Sequence, residues 1–278
     1  MTQLRIGHSP DADDAFLFFG FAKGAIDTGP YEVVHVVEDI ESLNKRAMRG
    51  DLEMTAISAA AYPEVAHHYR IMACGASVGR SYGPIVLARQ TIDPQALAGK
   101  RVAIPGALTT AYLLLRIYVP DILPVVIPFD RIMDAITQGD VDAGVVIHEG
   151  QLTYADEGLA KVLDLGEAWF QDTGLPIPLG LDMVHRRFDD DEAKRLYDLF
   201  LNSVLYARAH EPEASLYAQG FSRGLDLDLS RRFVGMYVNE DTLDMGEEGR
   251  RALEALYRRA HERGLIQAVP PLDILGMK

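Results

Sequence analysis

Cys74 is the only cysteine in the chain, so no intrachain disulfide can form and no cysteine-based metal cluster can be built. Positive charge is also scarce: 27 Lys and Arg stand against 41 Asp and Glu, a formal net charge of −14. Phosphate backbones and acidic lipids demand clustered cations, so this balance argues against a nucleic-acid or membrane surface. An anionic small ligand stays open, because a few donors in a cleft outweigh the global field. There is no apolar run fit to span a bilayer; the most apolar stretch, AYLLLRIYVPDILPVVIPF, is broken by Arg116, Pro120, Asp121 and Pro124. The start MTQLRIGHSPDADD has no basic segment followed by an apolar core, so it does not read as a secretory signal, and a cytoplasmic protein is expected.

Several catalytic signatures are missing as well. The chain has no Walker-type phosphate loop, no G-x-G-x-x-G after a strand and no G-x-S-x-G elbow. None of the eight histidines falls into H-E-x-x-H, and His148-Glu149 lacks the second histidine of that motif, so zinc hydrolysis is not expected.

What is present is an ordinary globular composition, 48% hydrophobic and 24% charged, over 278 residues, enough for one large domain or two of ordinary size. Short apolar runs alternate with helical patterns, which predicts an α/β fold. LRIGHS reads as a strand, DDAFLFFGFAKG as one helix stopped by Gly24, YEVVHVV as a strand, DIESLNKRAMRG as a helix and LEMTAIS as a strand. The order then returns: KRVAIPGALTTAYLLLRIY gives strand, turn and helix, and PVVIPFDRIMDAITQGDVDAGVVIHEG gives strand, helix, turn and strand. Gly50-Asp51 and Gly139-Asp140 occupy matching places in the two units.

This duplication predicts two α/β domains. YGPIVLAR and LPIPLGLDMVHRR read as paired extended connectors, a two-strand hinge, with one domain formed by residues 1–88 and 180–278 and the other by 89–179. Beyond Arg187 the pattern turns helical, with apolar residues at three- and four-residue spacing, and the chain beyond Val269 reads as a loose tail.

In open parallel sheets ligands bind beyond the carboxyl ends of strands, so loops from the two units would meet in one cleft. SPDADDAF begins with Ser9, a candidate substrate contact; its Asp11, Asp13 and Asp14 suit helix capping, the helix dipole or a cation, with capping the default. IPGALTTAY puts Thr109 and Thr110 at a helix start, where hydroxyls and backbone N–H groups favour a carboxylate or simply cap the helix. TAISAAAY ends a strand on Ser58 among small residues that allow close approach or close packing. VVIHEGQLTY ends an apolar strand on His148, an imidazole suited either to take a proton or to bond backbone. Arg80, in the glycine-rich GASVGRSYGP, is a candidate partner for an anionic substrate or a solvated loop residue.

With those residues in view, GHSPDADDAF, VEDIESLN, GPIVLAR, IPGALTTAY, IHEGQLTY, DTGLPIPLG and YVNEDTLDMGEEG resemble blocks of the 1,4-dihydroxy-6-naphthoate synthase family, lyases of the futalosine route to menaquinone. The resemblance covers nearly the whole chain. It implies a type II periplasmic-binding-protein-like fold with two α/β domains around a cleft. It also implies a small carboxylated substrate, cyclic dehypoxanthinylfutalosine, converted to 1,4-dihydroxy-6-naphthoate without a metal or redox cofactor. The family's proton-accepting histidine falls on His148, and its ligand contacts fall on Ala56, Ile57, Ser58, Thr109 and Thr110. Where family members read SPCPNDTF this chain has SPDADDAF, and Ala56 stands where a lysine can occur; both differences bear on the substrate. The competing readings are chorismate dehydratase, a related fold of the same pathway, and a non-enzymatic receptor for a small organic anion.

Overall fold

The computed structural model describes residues 2–222 and 224–277. Its strands are β1 (Thr2–His8), β2 (Tyr31–Val37), β3 (Met54–Ser58), β4 (Tyr69–Met72), β5 (Ser77–Gly79), β6 (Ile85–Ala88), β7 (Arg101–Ile104), β8 (Leu123–Val126), β9 (Ala143–Val146), β10 (Ala160–Asp164), β11 (Ile177–His185) and β12 (Ile274–Leu275). They form two sheets. The larger has seven strands in the order β12-β4-β11-β3-β1-β2, with β5 on β11; the smaller has five, β10-β6-β9-β7-β8.

The duplicated pattern in the sequence is a duplicated topology. In the first unit β1 lies parallel to both β2 and β3; in the second β7 lies parallel to both β8 and β9. The matching Gly-Asp turns have the same geometry. Gly50 and Gly139 both take positive φ (66° and 83°), and the following N–H reaches back to the Arg46 and Ala135 carbonyls. Only glycine enters that left-handed region without steric cost, which is why each helix stops there.

The two extended connectors are integral strands rather than linkers. β6 pairs antiparallel with both β9 and β10, and β11 pairs antiparallel with β3, β4 and β5. Where the chain crosses between the sheets, the Leu165 N–H donates to the Pro84 carbonyl at 2.9 Å, tying one crossing to the other.

The helices are α1 (Ala12–Leu17), α2 (Phe19–Ala22), α3 (Ile40–Ala47), α4 (Tyr62–Val65), α5 (Thr110–Tyr118), α6 (Ile132–Gln138), α7 (Gly150–Thr153), α8 (Leu165–Thr173), α9 (Asp190–Ala209), α10 (Glu211–Gln219), α11 (Leu227–Tyr237), α12 (Glu240–Leu243) and α13 (Gly246–Glu262). The single helix expected after β1 is broken at Phe18, whose φ and ψ of −88° and 2° leave the helical well. In α9 the Asp189 carboxylate caps the helix by accepting the Glu192 N–H, a contact worth about 1 kcal/mol. The same helix buries Leu196, Phe200 and Val204 completely, each contributing roughly 1.5–3 kcal/mol.

The chain after Val269 is not loose. Tyr62 donates its hydroxyl to the Pro271 carbonyl, Asp273 pairs with Arg70 and Arg186, and β12 adds a parallel strand to β4. The sequence there has no long apolar run because this segment is held by a strand edge and ion pairs. Among the described residues no helix is long and apolar enough to cross a membrane.

Candidate active site

A cavity opens between the two sheets, lined by residues of both. Ser9 follows β1 and Ser58 ends β3; Thr109 and Thr110 begin α5 after β7; His148 follows β9; all of them line it. Loops at the carboxyl ends of the parallel strands thus meet there, as this kind of sheet dictates. Ala56 and Ile57 line the cavity beside Ser58, and β11 contributes Leu179 to Asp182. Phe233 and Tyr237 reach in from α11, where the Tyr237 hydroxyl donates to Gln151 Oε1 at 2.9 Å.

The strand leading to His148 stops earlier than its apolar run suggests. β9 ends at Val146, and His148 itself has φ 59°, a left-handed conformation. For a residue with a β-carbon such a conformation costs on the order of 1–3 kcal/mol, and it persists where surrounding contacts fix it. Here the fixing contacts are visible. Nδ1 lies 3.0 Å from Asp11 Oδ2, and the Phe129 ring meets the imidazole edge-on at 4.8 Å between centroids.

Asp11 is held in turn. Its carboxylate accepts the Ser9 hydroxyl and the Asp14 N–H, so the residue caps α1 while facing His148. Burial alone would raise its pKa, but the facing His148 charge and the hydrogen bonds from His148 and Ser9 outweigh it and hold the carboxyl well below the usual range. An ionised Asp11 fixes the Nδ1 proton and leaves Nε2 as the basic nitrogen. Ser9, expected to touch substrate, has its hydroxyl committed to Asp11.

Across the cavity the donors are neutral. Ser58 Oγ accepts the Asn44 amide at 3.1 Å, which leaves its own O–H to donate outward. Thr109 donates to the Gly106 carbonyl and accepts the Tyr112 N–H, and Thr110 donates to the Leu179 carbonyl and accepts the Ala60 N–H. Both threonine hydroxyls are therefore structural. What α5 can offer an anion is the backbone N–H groups of Thr110 and Ala111, because those of Tyr112 and Leu113 already donate to the Thr109 hydroxyl and carbonyl.

Arg80 does not line the cavity. Its guanidinium binds Asp241 through two N–H groups, at 2.8 and 2.7 Å, and Glu248 at 2.8 Å. No Lys or Arg appears among the lining residues, whereas Asp11, Asp13, Asp14 and Asp182 all do. Burial, together with the neighbouring Asp11 charge, pushes Asp14 up to about 7 and Asp13 upward as well. Donor atoms of Asp11, Asp13 and His148 lie within 4.8 Å of one another, a spacing compatible with a metal ion but already accounted for in part by the Asp11–His148 contact. The sequence offered these loop aspartates as caps, dipole partners or cation ligands, with capping the default, and held no sign that Asp11 would face His148. Asp182 was hidden in LGLDMVH, where a lone acid in an apolar strand is the available clue. The contribution of α11 had no local signal.

Residues 4–262 match the family described as menaquinone biosynthesis. The chain belongs to that family. A relative from Thermus thermophilus named 1,4-dihydroxy-6-naphtoate synthase is 41% identical over 270 residues, covering 97% of this chain and 98% of the relative. This menaquinone-family protein is accordingly an enzyme of that biosynthesis. The crystal structure of an Archaeoglobus fulgidus protein superposes with a TM-score of 0.91 at 46% identity, covering 95% of this chain and 98% of that one. The alkanesulfonate-binding protein of Xanthomonas axonopodis, bound to MOPS, gives a TM-score of 0.70 at 14% identity over 98% of this chain and 96% of that one. At that identity the likeness concerns the fold alone, and it is the type II periplasmic-binding-protein-like fold that the sequence blocks imply.

Proposed function

We propose that this menaquinone-family enzyme is a lyase that converts cyclic dehypoxanthinylfutalosine to 1,4-dihydroxy-6-naphthoate, with His148 as the general base. The observation that carries the reading is the Asp11–His148 contact at 3.0 Å on the wall of the cavity between the sheets.

The chemistry follows from the parts. Asp11 keeps the Nδ1 proton in place and stabilises the imidazolium that forms, so Nε2 can take a proton from carbon. Ser58 and the Thr110 and Ala111 N–H groups at the start of α5 hold the substrate carboxylate without a formal cation. Apolar walls from Ala56, Ile57, Leu179 and Phe233 keep water away while the ring fragments and the sugar-derived portion leaves. Formation of the aromatic naphthoate supplies the driving force, and the base need only start the reaction.

The purified protein incubated with the cyclic compound should release the naphthoate, detected by chromatography. Binding without turnover would contradict the reading, and consumption of chorismate instead would replace it with the dehydratase.

A further inference from the structure

Asp182 lies in the middle of β11 with 3% of its surface exposed, while its neighbours Leu181 and Met183 pack into the apolar core. Its carboxyl faces the cavity, and among the described residues no hydrogen bond to it is made. The titratable groups acting on it are both acids: Asp14 from α1, and the buried Cys74 thiol from the segment after β4. Gly75 lies against both Asp182 and the Phe200 ring of α9; a methyl group there would fall on Asp182 Oδ2 and on Phe200.

An ionised carboxylate with neither a cation nor a donor is costly to bury. The neutral form avoids that cost, and burial with the facing Asp14 charge pushes Asp182 well above the usual carboxylate range. A neutral carboxylic acid has one O–H to give. Asp14 is already engaged, accepting the Ser9 N–H at 2.6 Å, whereas the Asp182 carboxyl lines the cavity.

We propose that Asp182 is a further catalytic residue, a neutral acid that donates a hydrogen bond to the substrate oxygen on which negative charge builds as His148 removes a proton from carbon. This rests on the lyase reading above. In that step the C–H bond breaks, the proton passes to His148 Nε2, and the electron pair shifts toward the adjoining carbonyl oxygen. Asp182 keeps its proton. An O–H aimed at a developing oxyanion in a water-poor site stabilises the transition state more than the ground state.

Two measurements test it. Infrared difference spectra between the wild type and Asp182→Asn, both free of substrate at neutral pH, should show a protonated-carboxyl band lost in the variant. Loss of carboxylate bands instead overturns the proposal whatever reaction the enzyme performs. In turnover, Asp182→Ala should lower kcat about 10²-fold, and Asp182→Asn, which retains an N–H donor of similar shape, should recover to within about tenfold of wild type. Equal losses in the two variants contradict donation. If the alanine variant does not fold, a folded asparagine variant that loses more than about 10²-fold contradicts it. Absence of turnover by the wild type removes the lyase reading and the catalytic role together, while the infrared result still reports the proton on Asp182.

Discussion

His148 Nδ1 sits 3.0 Å from Asp11 Oδ2, and the two residues come from opposite sheets, one following β9 and the other following β1. The contact therefore depends on how the sheets face each other as well as on the residues. It also explains why a histidine tolerates a left-handed backbone at this position.

Asp11→Asn tests the orienting role. The amide keeps the helix cap but loses the charge that stabilises the imidazolium. Turnover should fall about 10²-fold with KM changed by less than about threefold and Tm nearly unchanged. Asp11→Ala should in addition lose about 1 kcal/mol of stability, because the Asp14 N–H loses its cap.

Ser58 and Thr109 should separate cleanly. Ser58→Ala removes an outward donor and should raise KM about tenfold or more, the scale of a hydrogen bond to a charged group. Thr109→Val removes a hydroxyl already committed to Gly106 and Tyr112, so its effect should be a lower Tm, with about 1 kcal/mol lost, and little change in KM. Steady-state kinetics and thermal melts on the same preparations distinguish the two.

Much of this was legible in the residues and some was not. The repeated order of elements, the paired Gly-Asp turns and the positions of Ser58, Thr109, Thr110 and His148 follow from local pattern, because strand ends and helix starts carry their own signals. The tail was misread because β12 is only two residues long and draws its stability from β4, Tyr62, Arg70 and Arg186, all far away in sequence. Arg80 has the same history in reverse: a loop arginine looks available until Asp241 and Glu248, some 160 residues later, fold onto it. Long-range ion pairs and the chemical role of a capping aspartate cannot be read from spacing.

That placement of Arg80 carries its own expectation. Arg80→Met should leave KM within about twofold of wild type, since the side chain is outside the cavity, but should lower Tm because Asp241, 6% exposed, loses its cation. A tenfold rise in KM with unchanged stability would return Arg80 to the substrate.

The acid-rich wall predicts an unusual pH dependence of stability. Burial and Asp14 raise Asp182, and burial with Asp11 raises Asp14 to about 7. A carboxyl raised on folding binds its proton in the folded chain but not in the unfolded one, so its stabilisation is complete below about pH 4 and is lost as the pH rises through the folded value. Asp182→Asn cannot ionise. Its Tm relative to the wild type should therefore increase from about pH 5 to about pH 8, by roughly 2–4 °C for each kcal/mol of charge burial avoided. A constant difference across that range would show that folding does not raise the Asp182 carboxyl above its unfolded value.

The most direct test of the account is His148→Asn, assayed for binding and for release of 1,4-dihydroxy-6-naphthoate from cyclic dehypoxanthinylfutalosine. The variant should fold and bind the cyclic compound with near-normal affinity while kcat falls about 10²-fold or more. Turnover close to that of the wild type would remove His148 from the chemistry.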